Sequence, residues 1–218
     1  MTDKKNKAPS IQEQQEVLDK ILNAAFAQTV EKGWKTLSLH DVAEAADLSL
    51  ADLRQYISSK SDIMAIYNKR LDTRVLENLG EMDVTQDVPT KDRLFDILME
   101  RFDLMNADRE ALSRIIKTLN PDPAEMLDNC LRLKHSLIWM LEAAGIGTTG
   151  VAGKIRIKGL MFIYLVTLKT WLEDESPDLS STMARLDKLL KQAEQAAYTF
   201  RMTDGDKSEH EAEPVAAE

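Results

Sequence analysis

The stretch ILNAAFAQTVEKGWKTLSLHDVAEAADLSLADLRQYISSKSDI, residues 21–63, decides how the chain is read. It opens inside a helix expected from about Ile11 to Lys32, with Val17, Ile21, Ala24 and Ala25 on one face and Gly33 as its stop. Apolar residues recurring at that spacing mark an amphipathic helix. Ser38 then stands as an N-cap with Asp41 three residues later, a capping-box spacing that starts a short helix through Ala46. A tight turn at Asp47-Leu48-Ser49 follows, and Ser49 caps a third helix, Leu50 to Tyr56. Val42, Ala45 and Ala46 face Leu50, Leu53 and Tyr56 across the turn, so the two short helices share one small core. This pattern is a helix-turn-helix.

Helical spacing continues outward from this stretch. Ser58-Ser59 begins a longer helix that carries Ile63, Ile66, Tyr67 and Leu71 and ends near Gly80, and residues 81–90 read as a linker. Beyond it, helices are expected over Lys91–Asn106, Arg109–Leu119, Pro123–Ala144, Val151–Asp174 and Ser180–Phe200. Glycines 145, 147 and 150 mark one loop, and Ser176-Pro177 marks another. No strand alternation persists and no internal repeat is visible. The fold class is therefore all-α, with about nine helices in two unequal parts. The divisions are an unstructured 1–10, a helix-turn-helix domain at 11–65, a larger helical domain at 66–202, and an unstructured acidic tail at 203–218.

Composition removes several function classes. The chain has 218 residues and a formal net charge of −9, so bulk attraction to nucleic acid or anionic lipid is absent. A net −5 of that charge falls on the tail from Thr203, which leaves the body only mildly acidic. Cys130 is the sole cysteine, which excludes an internal disulfide and suits a reducing cytoplasm; it reads as a small buried hydrophobe. Lys4, Lys5 and Lys7 are followed by no apolar stretch, so no secretory signal is expected. Gly159 to Leu168, the longest apolar run, is about half of a membrane span. No HExxH, GxSxG, P-loop or GxGxxG motif occurs, so neither an enzyme nor a cofactor is expected. Asp122, Glu125 and Asp128 gather where a helix dipole already favours acids, a simpler role than metal binding.

Residues 18–65 resemble the tetracycline-repressor (TetR) family. The resemblance rests on the Ala-rich first helix, Gly33, the Ser38-to-Ala46 helix, Ser49, Leu53, Tyr56 and the Ser59-Lys60 entry to the fourth helix. It implies an N-terminal three-helix DNA-binding domain and a larger C-terminal ligand-binding and dimerisation domain. It also implies that Leu50 to Tyr56 enters the major groove of operator DNA, presenting Ala51, Arg54 and Gln55 to base edges. Ser38, Ser49, Tyr56 and Lys60 would then hold the DNA, with Ser38, Tyr56 and Lys60 on phosphates. The chain departs from the family where Arg54 follows Leu53 and Ile57 follows Tyr56. Residues 38–62 offer only Arg54 and Lys60 as bases against Asp41, Glu44, Asp47, Asp52 and Asp62. Two bases per subunit predict weak, salt-sensitive binding, and a free Asp52 in the groove would be repelled.

The second half carries another resemblance. DRLFDILMERFDLMNADREAL, IWMLEAAGI and LKTWLEDESPDLSSTMARLDKLL are similar to the lipid-binding accessory proteins of ubiquinone biosynthesis, which share the TetR-like fold. That implies an alternative function: an isoprenoid-lipid binder with a degenerate helix-turn-helix and a peripheral membrane contact. Phe102, Trp139, Met161, Phe162, Leu165 and Trp171 are the candidate lining of a small hydrophobic ligand's pocket. The same apolar stripe serves equally as core or as the interface of a homodimer through the last two helices. The regulator remains the leading reading, because Ser38, Tyr56 and Lys60 stand at phosphate-contacting positions.

Overall fold

The computed structural model describes residues 10–81, 88–118 and 123–210. Among them lie nine α-helices and no strand: α1 (Ile11–Lys32), α2 (Leu39–Ala45), α3 (Leu50–Tyr56), α4 (Lys60–Glu81), α5 (Thr90–Asn106), α6 (Arg109–Thr118), α7 (Pro123–Ala143), α8 (Gly150–Glu173) and α9 (Ser180–His210). The expected helices are present with small shifts at their ends. The larger difference is α9, which runs on through residues 203–210 of the segment read as unstructured; residues 211–218 lie outside the described residues, as do 1–9.

The chain forms two compact units: residues 1–81 with 101–136, and residues 82–100 with 137–218. Helices α5 and α7 each pass from one unit to the other along the chain. In the first unit α1 packs against α2, α4 and α6, and α2 packs against α3. Ile21, Ala25, Leu37, Val42, Leu53 and Ile63 are almost fully buried there. Phe26 and Tyr67 add a tilted ring pair with centroids 5.0 Å apart. Because α6 packs on α1, the first unit reaches well beyond the three helices of the helix-turn-helix.

One polar cluster is sealed inside the first unit. Arg101, 1% exposed, pairs with Asp72 and donates to Asn68 Oδ1 at 3.2 Å, while Ser136 Oγ donates to Asp72 Oδ2 at 2.6 Å. A buried guanidinium is tolerated only when its charge and its donors are both answered.

In the second unit α8 packs against α9. The buried face of α8 repeats at helical spacing through Ile157, Leu160, Tyr164, Thr167 and Trp171. Gly153 lets the preceding loop press onto the helix, since a Cβ there would collide with the Thr148 backbone. Asp174 ties α8 to α9: its carboxylate accepts from Thr182 N and Thr182 Oγ1, both at 2.7 Å, and from Ser176. Burial opposes its charge, but these donors outweigh burial and hold the carboxyl well below the usual carboxylate range.

Candidate nucleic-acid interface

Local capping explains why two such short helices form. Ser38 and Asp41 make a complete capping box: Asp41 N donates to Ser38 Oγ at 3.1 Å, and Ser38 N donates to Asp41 Oδ2 at 2.9 Å. Helix α2 then ends in a Schellman turn, in which Leu48 N reaches Ala43 O at 2.9 Å and Asp47 N reaches Glu44 O at 3.2 Å. Asp47 occupies the left-handed position at φ 55°, where glycine is usual and a short polar side chain is tolerated. Ser49 caps α3, accepting from Asp52 N at 3.1 Å. Leu53 and Ile57 are buried behind α3, while Ala51, Arg54 and Gln55 are exposed on its outer side. The three residues expected to meet base edges therefore share a solvent-facing surface.

The acids of this region are not free. Ser49 Oγ donates to Asp52 Oδ2 at 2.6 Å, and Ser38 Oγ donates to Asp41 Oδ2 at 2.6 Å. Asp41 also receives Lys32 Nζ at 2.8 Å, and that contact, with the Ser38 donors, holds its carboxyl far below the ordinary range. Asp62 accepts Ser58 N at 2.8 Å and Ser59 N at 3.0 Å, and the first of these is the main reason its pKa is lowered. Three of the five acids counted against DNA binding thus serve helix starts. Asp52 is therefore not a free acid: its carboxylate is turned onto its own cap.

The candidate phosphate donors are also engaged. The hydroxyls of Ser38 and Ser49 donate to the two carboxylates just named. Lys60 Nζ donates to Trp34 O at 2.9 Å and Lys35 O at 3.4 Å, and sits 5.5 Å from the centre of the Trp34 ring. Lys60 therefore braces the α1–α2 loop and keeps one N–H in reserve. Arg54 Nη1 donates to Ser58 Oγ at 2.9 Å, which leaves most of its five N–H groups available. Tyr56 is half-buried. Lys32 and Trp34 have no standard motif spacing in the sequence; the compact KGWK turn is their one local signal.

The six candidate ligand residues are divided between the two units, Phe102 in the first and the other five in the second. Phe102 and Trp171 are fully buried in the cores of different units. Trp139, Phe162 and Leu165 are 59%, 64% and 45% exposed, and Met161 is half-buried. A cavity of about 400 Å³ does exist in the second unit, but none of the six lines it. The reason is helical phase: on α8 the cavity meets Ile155, Gly159 and Ile163, whereas Phe162 and Leu165 point to solvent. Asp128 pairs with Arg132 at 2.9 Å, and no group of three or more potential metal ligands occurs among the described residues.

The structure aligns with a TetR transcriptional regulator from Nitrosomonas europaea ATCC 19718 at a TM-score of 0.67 and 23% identity, covering 82% of this chain and 98% of that one. The fold is that of the TetR-family regulators. A TetR transcriptional regulator from Rhodococcus sp. RHA1 aligns at a TM-score of 0.55 and 18% identity, over 82% and 97% of the two chains. By sequence, 80 residues are 29% identical to the HTH-type transcriptional regulator PksA of Bacillus subtilis (strain 168). That match spans 37% of this chain and 38% of PksA. No protein-family model matches the chain. None of these relatives is a quinone-biosynthesis protein. No described helix is long and apolar enough to cross a membrane.

Proposed function

We propose that this chain is a cytoplasmic, non-enzymatic, ligand-responsive transcriptional regulator that binds operator DNA as a homodimer. The observation that carries the reading is the exposed outer side of α3. Ala51, Arg54 and Gln55 stand out from a helix that is capped at Ser49 and anchored through Leu53, in a chain with the TetR-family fold. Arg54 supplies the bidentate donor that a guanine edge accepts. The placement of Asp41, Asp52 and Asp62 at helix starts supports the same reading, since it turns these carboxylates onto their own caps and pairs Asp41 with Lys32.

Dimerisation is supported by the second apolar side of α8. Val151, Phe162 and Leu165 recur at spacings of eleven and three while 45–76% exposed. A helix that is apolar on both sides calls for a covering partner, and a second copy of the same helix is self-complementary. Two copies would present two α3 helices to half-sites about one helical turn apart. A ligand in the second unit that favours one spacing of those helices would shift the population that fits DNA.

The test is a selection from a pool of random duplexes with the purified chain at about 50 mM salt, where phosphate contacts are strong. The expected result is an enriched, inverted-repeat site, with Arg54→Ala weakening its binding about tenfold or more. Absence of any enriched sequence would sink the reading.

A further inference from the structure

The cavity of the second unit is walled mainly by Leu94, Leu141, Leu160, Ile163 and Leu190, with Ile146 joining from the loop after α7. Its charged lining residues are Lys91, Arg156 and Glu194. Lys91 is already answered: it donates to Asp92 at 2.9 Å, and Asp92, Glu194 and Asp187 together raise its pKa. Two arginines are not answered in this way. Arg156 Nη1 donates to the carbonyl of Gly147 at 2.9 Å. Arg93 lies against Gly145, with Nη2 3.3 Å from where a Cβ would stand, and its Nε is buried without an acceptor. Among the described residues neither guanidinium meets a carboxylate. Glu142, the nearby acid of α7, accepts from Thr148 instead.

The chain brings these two groups to one place. Helix α7 ends in a Schellman turn, with Gly145 at φ 77° and Ile146 N donating to Leu141 O at 2.9 Å. That turn sets Ile146 beside Leu141 on the cavity wall and leaves a glycine on either side of it. Arg93 lies on the first glycine and Arg156 on the second. Two permanently charged forks therefore lie on the glycines that flank the one loop residue lining the cavity, Arg156 within the lining and Arg93 next to it in the loop's packing. A buried N–H without an acceptor is costly, and an oxyanion satisfies both forks at once.

We infer that this cavity receives an amphiphile: an apolar chain among α5, α7, α8 and α9, and one oxyanion head, carboxylate or phosphate, held by Arg93 and Arg156 at Ile146. The inference rests on the ligand-responsive reading above and gives that ligand its chemical class.

The test is isothermal titration of the full chain with decanoate, decyl phosphate and decanol. At least one anion binds saturably and about tenfold or more tighter than the alcohol, as charge-assisted bonds require, and the order of the two anions identifies the head. In the double variant Arg93→Gln with Arg156→Gln, that advantage collapses to within about twofold. Gly159→Leu closes the space, because a Cβ there meets nothing within 4 Å; it abolishes binding while helicity is retained. Decanol binding as tightly as the anions would overturn the assignment, and so would no saturable binding, an unchanged preference in the double variant, or full binding by Gly159→Leu. Site selection on DNA separates the two readings. Anion binding that leaves DNA affinity unchanged counts against ligand response and not against the cavity, whereas DNA recognition without anion binding removes only the cavity assignment.

Discussion

The two units use charge in opposite ways. Around α2 and α3, acids that look hostile to DNA are spent on helix starts: Asp41 on Ser38 and Lys32, Asp52 on Ser49, Asp62 on Ser58 and Ser59. Around the loop after α7, two guanidiniums meet no carboxylate among the described residues. A count of signs along the sequence ranks the first region as acidic and gives the second no special standing. The contacts change that ranking, because a capping carboxylate is fixed on its own helix start, whereas a guanidinium without a carboxylate keeps its donors for a ligand.

The comparison breaks most visibly where a used charge is also buried. Asp72→Ala strands Arg101 inside the first unit and should cost about 3–5 kcal/mol by urea unfolding. A loss below about 1 kcal/mol would mean the pair is not committed as described. Next comes Asp174, whose removal as Asp174→Ala should cost about 2–3 kcal/mol, the worth of hydrogen bonds to a charged group.

Acid separates these roles further. Asp41, Asp62 and Asp174 have folded pKa values below their unfolded ones. Their stabilisation is therefore complete above an unfolded pKa of about 3.9 and is lost as pH falls below it. Thermal midpoints should decline steadily below about pH 4, and Asp174→Asn should flatten that decline. Smaller still, Ser49→Ala should cost about 1 kcal/mol of stability through the lost cap of α3. At the bottom of the scale, Arg93→Gln and Arg156→Gln should leave stability within about 0.5 kcal/mol, because neither charge holds the fold. A clear loss there would show a structural partner and erase the contrast.

Much of the fold was legible in the sequence because its signals are local. Ser38 with Asp41, Ser49, Gly33 and the apolar spacing of α1 act within a few residues of themselves, so α1 to α3 were placed to within a residue or two. The exposed side of α3 followed from the same period. The uses of Asp52 and Lys60 did not, since a cap and a far carbonyl compete for the same atoms as a phosphate. On α8, apolar residues fill both sides of the helix, so bulk alone pointed to Phe162 and Leu165 rather than to Gly159 and Ile163. The Arg101–Asp72 pair joins residues 29 apart on different helices, which no spacing rule reveals.

The central claim is that α3 presents a usable DNA-reading surface despite its acidic neighbourhood. It is tested most directly by titrating a labelled duplex enriched by selection, and a scrambled duplex, across a salt series by fluorescence anisotropy. The account predicts a preference of about 10³ or more for the selected site. It also predicts a log–log salt slope of about −2 for a dimer contributing Lys60 from each subunit to phosphates. Equal binding of the two duplexes, or a slope near zero, would contradict it.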